Sequence, residues 1–182
     1  MIEFPPIPTW DGLHPLIIHF PIALLYFAPI FILVGAAVRP KGARSWLTAG
    51  LILMAVGTVT VFVAISTGES AAELAERSAQ VNSVLERHET LAEQTEIVFS
   101  SLTVIFAVML FAPRLFKREP ERVTTTLLPL VFLLFYGAGM VILTNTAHNG
   151  GRLVHEFGVQ SLVASSGPTA FPAALPAETD ED

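Results

Sequence analysis

The sequence predicts an all-α integral membrane protein, a four-helix bundle with a short amphipathic outer helix between spans two and three. Two observations lead to this fold class. Hydrophobic residues make up 52% of the 182-residue chain and charged residues only 14%, a balance that is unlike that of an ordinary soluble domain. Four apolar stretches are also long enough to cross a hydrocarbon core of about 30 Å, which takes about 20 helical residues.

The predicted spans divide the chain into three parts. The spans are Leu16–Val38, Trp46–Thr67, approximately Gln94–Phe111, and Thr124–Ala147. The predicted domains are an outer N-terminal segment (residues 1–15), a four-span membrane domain (residues 16–163) and a disordered, acidic, Pro/Ala-rich tail (residues 164–182). Glu3 and Asp11 precede span one without any Lys or Arg, so this span lacks the basic start of a signal peptide and is expected to remain in the mature protein.

Basic residues predict how the bundle is oriented in the membrane. Seven of the ten Lys and Arg residues lie in two short connections, which carry Arg39, Lys41 and Arg44 after span one and Arg114, Lys117, Arg118 and Arg122 after span three. Short cytoplasmic loops collect such residues. We therefore predict that both basic connections are inside and that both termini are outside, in an extracytoplasmic space.

All five histidines fall on the predicted outer side. They are His14 and His19 at the start of span one, His88 before span three, and His148 and His155 after span four. Ionisable groups near membrane spans usually face the bundle interior and mark ligand or ion sites. His14 and His19 are five residues apart, which turns them by about 140° on a regular helix and disfavours joint chelation. Because His19 lies about one turn inside the apolar run, we predict it as a direct ligand, and His14 as a ligand of a second centre or a residue that orients the first.

The segment between spans two and three has a helical pattern of its own. Its apolar stripe includes Leu85 and His88 and has spacings of three, four or seven residues, which is typical of one buried helix face. A turn is expected at 80–83, so that the chain can return to the membrane. After span four, Gly150 and Gly151 are expected to end the helix.

Several motifs resemble one known family. They are "LHPLIIHFPIALL", "STGESAAE", "RHETLA" and "TAHNGGRLVHEFGV", and they look like the domain of unknown function 2231 family of predicted prokaryotic membrane proteins. The resemblance runs from Leu13 to Val159 and implies a four-span bundle in a prokaryotic inner membrane, with histidines at its outer ends. Matching positions are His14, Pro15, His19, Phe20, Pro21, Thr67, Gly68, His88, His148, Gly150, Gly151, Leu153, Val154 and Gly158. Relatives often carry an aromatic residue at His155.

Imidazoles that converge in a membrane four-helix bundle are typical of b-type cytochromes, in which facing helices each supply an axial histidine. Without cysteine, covalent haem attachment and thiolate metal sites are excluded. We therefore predict one haem b, or two close together, near the outer face, with ligands from among His14, His19, His88 and His148 and with walls formed by Phe20, Phe27, Phe62, Phe99, Phe106 and Phe135. The predicted role is an electron-transfer or accessory subunit rather than an enzyme, which exchanges electrons with a periplasmic carrier or a quinol and belongs to a larger membrane complex.

A bare transition metal such as zinc or copper is the alternative to haem. Neutral imidazoles with nearby carboxylates suit these ions, so His19, His88 and His148 are the candidate metal ligands, with Asp11, Glu69 or Glu156 completing the set. A purely structural role of the histidines in a membrane subunit is the third reading. No phosphate-binding loop or basic nucleic-acid stripe is present in the sequence.

Overall fold

Four long hydrophobic helical segments, joined by short connections, form the protein. The computed structural model describes residues 8–75, 78–116 and 121–159. The helices are α1 (His14–Ile17), α2 (His19–Ala37), α3 (Pro40–Leu74), α4 (Ala79–Leu115) and α5 (Leu128–His155), with a 3-10 turn at Asp11–Leu13 and a π-helical turn at Val123–Leu127. Four segments are long and apolar enough to cross a membrane, and the described residues contain no strand. The predicted all-α membrane bundle is confirmed.

The outer surface of the bundle is apolar. Leu134 is 76% exposed, Phe135 65% and Val104 63%, and they are three of many large hydrophobic side chains that face away from the protein. A water-soluble monomer rarely exposes contiguous apolar surface on this scale. These side chains are the surface that the bundle presents to lipid.

The helices alternate in direction, and each packs against two neighbours. α2 contacts α3, α3 contacts α4, α4 contacts α5, and α5 closes the ring against α2. The helix ends that flank the two basic connections consequently lie at one end of the bundle, which we call the basic end. His14 and His88 lie at the other, which we call the histidine end.

A packed aromatic core fills the middle of the bundle. The rings of Phe106 and Phe132 stack with centroids 4.7 Å apart, and the ring of Phe99 meets Tyr136 edge-on at 5.4 Å. Tyr136 also donates its hydroxyl to the Leu25 carbonyl at 2.7 Å. Pro29 lies inside α2 and has no N–H for this carbonyl four residues earlier. The tyrosine therefore satisfies a backbone acceptor that the proline leaves free within the membrane.

α3 and α4 are longer than the membrane is thick. They contain 35 and 37 residues, which corresponds to about 50–55 Å at 1.5 Å per residue, so both extend well beyond a hydrocarbon core. In place of a separate short outer helix, α3 ends at Leu74 and α4 begins at Ala79, so α4 already includes the predicted turn at 80–83. Ser78 accepts a hydrogen bond from the Val81 N–H at 3.2 Å, as helix N-caps do, and this cap starts α4 ahead of the predicted turn.

The end of α5 also differs from the prediction. α5 continues through Gly150 and Gly151 and ends at His155. Three residues later, Gly158 has a φ of +65°. The Val159 N–H bonds to the Leu153 carbonyl at 3.0 Å, and the Gly158 N–H bonds to the Val154 carbonyl at 3.2 Å. The left-handed Gly158 and its own bond to the Val154 carbonyl, four residues earlier, form an αL C-cap. The predicted tail, residues 164–182, lies outside the described residues.

Candidate cofactor site

A cavity separates two packed clusters at the histidine end. Below it lies the aromatic core, and above it a smaller apolar cluster consists of Ala72, Val81, Val84, Leu85 and Leu153, with Phe157 and Val159 packed against them. The cavity has a volume of about 520 Å³, which falls within the range of roughly 300–1,000 Å³ typical of small-molecule and cofactor pockets. The histidine end therefore has room for a ligand between two regions of solid packing.

Small side chains create this space. α3 contributes Ala64, Gly68, Ala71, Ala72 and Ala75 to the lining, and α5 contributes Ala147, Gly150 and Gly151. Elsewhere in the bundle, the same helices bring leucine and aromatic side chains into the centre. The cavity follows from this change in side-chain size along otherwise continuous helices.

His14 lines the cavity from the first span. Its Nδ1 lies 2.9 Å from the carbonyl oxygen of Ala64 on α3, and a carbonyl can only accept a hydrogen bond. The proton of a neutral His14 ring therefore resides on Nδ1, and Nε2 carries the lone pair. The ring rests against Gly68, where a Cβ atom would come within 2.9 Å of its Cε1 atom.

His88 repeats this arrangement from the other pair of helices. Its Nδ1 lies 2.9 Å from the carbonyl oxygen of Thr146 on α5, which fixes the same tautomer. A Cβ atom on Gly150 would come within 3.0 Å of its Cε1 atom. In both cases the acceptor carbonyl precedes the contacting glycine by four residues, so one turn of helix both orients the imidazole and leaves room for it.

The two rings reach the cavity from opposite corners of the bundle. His14 leads into α2, and His88 lies on α4, the helix diagonal to α2 in the ring of packed helices. Both rings line the same cavity. Among the described residues, neither Nε2 has a hydrogen-bond partner, so both lone pairs are available to a ligand in the cavity.

The other predicted ligands lie elsewhere. His19 and His148 are exposed and do not line the cavity, so the structure does not bring them together with His88. His155 is exposed at the cavity lining. None of the six phenylalanines predicted as walls lines the cavity: Phe99 and Phe106 are buried in the aromatic core, and Phe20, Phe27, Phe62 and Phe135 are exposed on the outer surface.

The described residues contain no group of three or more His, Asp or Glu side chains arranged to hold a metal ion. Of the three carboxylates suggested by the sequence, Glu69 lines the cavity. Glu156 is paired with Arg152 at 2.9 Å. His14, His88 and Glu69 thus line the same cavity.

Sequence reasoning missed the residues that hold the two rings. Ala64 and Thr146 act through their backbone carbonyls, and Gly68 and Gly150 through the absence of a side chain, so none of them carries chemistry that a motif search would notice. Thr67, Gly68 and Gly150 were among the positions that match the family motifs, but no contact with a histidine was predicted for them. The Oγ1 of Thr67 lies 3.1 Å from His14 Nδ1. Helical spacing is the sequence signal that could have identified these residues, because all of them lie near the buried stripes of α3 and α5.

Comparisons with known proteins identify a family without an assigned activity. No curated protein matches the chain. No solved structure matches it either. The family model described as a predicted membrane protein of unknown function, DUF2231, matches residues 11–162. This match covers all four spans and both imidazoles of the cavity, and the chain belongs to the DUF2231 family.

Proposed function

We propose that this protein is a membrane electron-transfer subunit that binds one b-type haem in the cavity at the histidine end. The observation that carries the proposal is the pair formed by His14 and His88. Two imidazoles from diagonal helices, each oriented by a backbone carbonyl, offer free Nε2 atoms to one apolar cavity. This pair replaces His19 and His148 in the ligand set that the sequence suggested.

The number of available ligands favours haem over a bare metal. A protein-bound zinc ion takes four ligands, of which at least three are normally side chains. The iron of a haem already has four porphyrin nitrogens and needs only axial ligands from the protein. A haem would need only the two imidazoles, whereas a bare ion would also have to recruit further ligands such as Glu69 or His155, which line the cavity but are exposed.

The cavity lining supports the same choice. Ile18, Ile22, Ile65 and Leu143 surround the space with aliphatic side chains, and an apolar wall holds a flat hydrophobic macrocycle while keeping water away from its centre. A haem bound there would supply a one-electron ferric/ferrous couple. His14 and His88 would hold the iron, and the Ala64 and Thr146 carbonyls would fix the orientation of both rings through their Nδ1–H groups.

The cavity lies at one end of the bundle, so electrons would be exchanged on one side of the membrane. Because the basic connections lie at the other end, we place the cavity and both termini on the periplasmic side of a prokaryotic inner membrane. A periplasmic electron carrier or a quinol is then the expected redox partner. An enzyme reporter that is active only outside the cell should work when fused after Asp182 and fail when inserted at Lys41; the opposite result would overturn this placement.

The haem proposal is tested by purifying the protein from cells that have an adequate haem supply. Spectra of the oxidised and dithionite-reduced protein should show a low-spin b-type haem, and extraction should give about one haem per chain. Elemental analysis of the same sample should find iron in equal amount and no stoichiometric zinc or copper. Protein that contains no haem and takes up no added haemin would contradict the proposal, and stoichiometric zinc or copper would favour the metal-binding alternative.

A further inference from the structure

The two half-sites are alike in shape but unequal in their hydrogen bonds. His14 Nδ1 lies 2.9 Å from the Ala64 carbonyl oxygen and 3.1 Å from the hydroxyl oxygen of Thr67. His88 Nδ1 has one partner among the described residues, the Thr146 carbonyl oxygen at 2.9 Å. One candidate ligand is therefore held by two acceptors and the other by one.

The direction of the Thr67 bond follows from its other contacts. The Thr67 hydroxyl donates to the carbonyls of Val63 and Ala64, each at 3.0 Å. A hydroxyl has one proton and two lone pairs, so this proton is already used and only a lone pair can face His14. Nδ1–H is consequently shared between two oxygen acceptors, and Thr67, which is fully buried, has no water to exchange for this bond.

The matching position on α5 lacks this contact. Asn149 follows Thr146 by three residues, just as Thr67 follows Ala64, and it is also buried. Its side-chain amide donates along its own helix to the Asn145 carbonyl at 2.8 Å. No hydrogen bond joins Asn149 to His88 among the described residues, so the inequality lies in the side chain at this one position.

We infer that Thr67 is a positioning residue that makes His14 the stronger electron donor of two unequal axial ligands and lowers the reduction potential of the bound haem. The inference rests on the proposed function. An acceptor at Nδ1–H increases the electron density and basicity of the imidazole, as outer partners of metal-bound histidines do. A more basic axial ligand stabilises ferric iron more than ferrous iron, which moves the potential down.

Three variants separate this role from simple packing. Thr67→Val removes the acceptor with little change in shape, Thr67→Ser keeps it, and Thr58→Val is a matched control on the same helix. Thr58 is also buried, but its hydroxyl contacts Thr103 at 2.9 Å instead of a histidine. Redox titration should show a higher potential in Thr67→Val, equivalent to about a fivefold change in the ferric-to-ferrous ratio, which is the scale of one hydrogen bond. Thr67→Ser and Thr58→Val should titrate like the wild type.

A measurement without haem keeps the test decisive if Thr67→Val binds none. In haem-free protein labelled with ¹⁵N-histidine, the Nδ1–H proton resonance of His14 should lie further downfield than that of His88. It should move upfield in Thr67→Val but not in Thr58→Val. Equal potentials in wild type and Thr67→Val, or unchanged His14 resonances when that variant lacks haem, would overturn the inference while leaving haem binding itself intact. Absence of haem from the wild type would instead defeat the proposed function.

Discussion

Glycine serves different purposes in the two halves of this bundle. Toward the basic end, Gly50 and Gly57 on α3 let α2 approach closely: a Cβ at these positions would come within 2.8 Å of Ile32 and Leu25, respectively. At the histidine end, Gly68 and Gly150 lie against imidazole rings at 2.9 and 3.0 Å. The first pair produces a filled aliphatic and aromatic core, whereas the second pair seats two potential ligands beside a cavity.

This difference shows that glycines within the helices can serve either close packing or a binding site. Small residues let helices approach closely in membranes. The groups that lie against these small residues decide whether a packed core or a binding site results. In the filled half the neighbours are apolar side chains that have no other role. In the histidine half the neighbours have their Nδ1 atoms bonded to backbone carbonyls, and their Nε2 atoms have no hydrogen-bond partner among the residues that the structure describes.

Replacing both imidazoles should have the largest effect, a loss of bound haem from the histidine end. The double variant His14→Ala, His88→Ala should lose essentially all bound haem, because noncovalent haem depends on its axial bonds. The matched double variant His19→Ala, His148→Ala changes two exposed histidines at the same end and should retain wild-type haem content. Haem per chain, measured after extraction, checks both; loss of haem in the second variant alone would restore the ligand set first suggested by the sequence.

Adding a methyl group to each type of glycine should separate ligand seating from core packing. Gly68→Ala and Gly150→Ala push directly on the imidazoles and should lower haem affinity roughly tenfold, a typical loss when a ligand's supporting contacts change. Gly57→Ala overpacks the core and should lower the free energy of unfolding by about 1–3 kcal/mol. The protein that remains folded should show the wild-type haem spectrum. Gly137→Ala, where a Cβ would have no neighbour within 4 Å, is the neutral control. Haemin titration and denaturant unfolding in detergent distinguish these outcomes.

The aromatic core should respond to a smaller change without affecting the site. Tyr136→Phe leaves the Leu25 carbonyl without the hydroxyl that now bonds to it at 2.7 Å, so the free energy of unfolding should fall by about 1 kcal/mol. Tyr26→Phe is the comparison, because that hydroxyl bonds to Thr144 on the exposed surface. The haem spectrum should be unchanged in both; a perturbed spectrum in Tyr136→Phe would mean that the two halves are not independent.

The smallest effect is expected at His155. This side chain is exposed where it lines the cavity. His155→Tyr should therefore leave haem content and spectrum as they are. A clear fall in haem content would assign His155 a binding role that its exposure does not suggest.

The fold was predictable because the bilayer imposes a simple rule on sequence. Any segment that crosses it needs about 20 apolar helical residues, and the four helices appear where the sequence meets this rule. The turn before α4 and the end of α5 were less predictable. Ser78 and Gly158 determine them through an N-cap and an αL C-cap, whereas more conspicuous sequence signals at 80–83 and at Gly150 and Gly151 suggested other positions.

The choice of histidines was predictable in part. Buried residues on α2 recur at spacings of three and four, including Pro21, Leu25 and Ala28, and the same spacing continued outward reaches His14 and passes over His19. The stripe of α4 likewise contains His88, which the sequence analysis identified by this argument. Depth within the apolar run, the criterion that favoured His19, says how far a residue lies from water but not which way its side chain faces.

The contacts that hold the rings could not be read from the sequence. A backbone carbonyl such as that of Thr146 is present at every position, so only the relative placement of two helices makes it a partner for His88. Gly150 gives an equally ambiguous signal, since a glycine near a helix end usually marks a stop. Here it continues the helix and packs against an imidazole.

The central claim is that one haem iron is held between His14 and His88, and the spin state of ferric single variants tests it most directly. Electron paramagnetic resonance of the wild type should show a low-spin, six-coordinate signal. His14→Ala and His88→Ala should each retain some haem in a high-spin form that returns to low spin when imidazole is added, because each variant opens one axial position. A low-spin signal that survives unchanged in either variant would contradict the account.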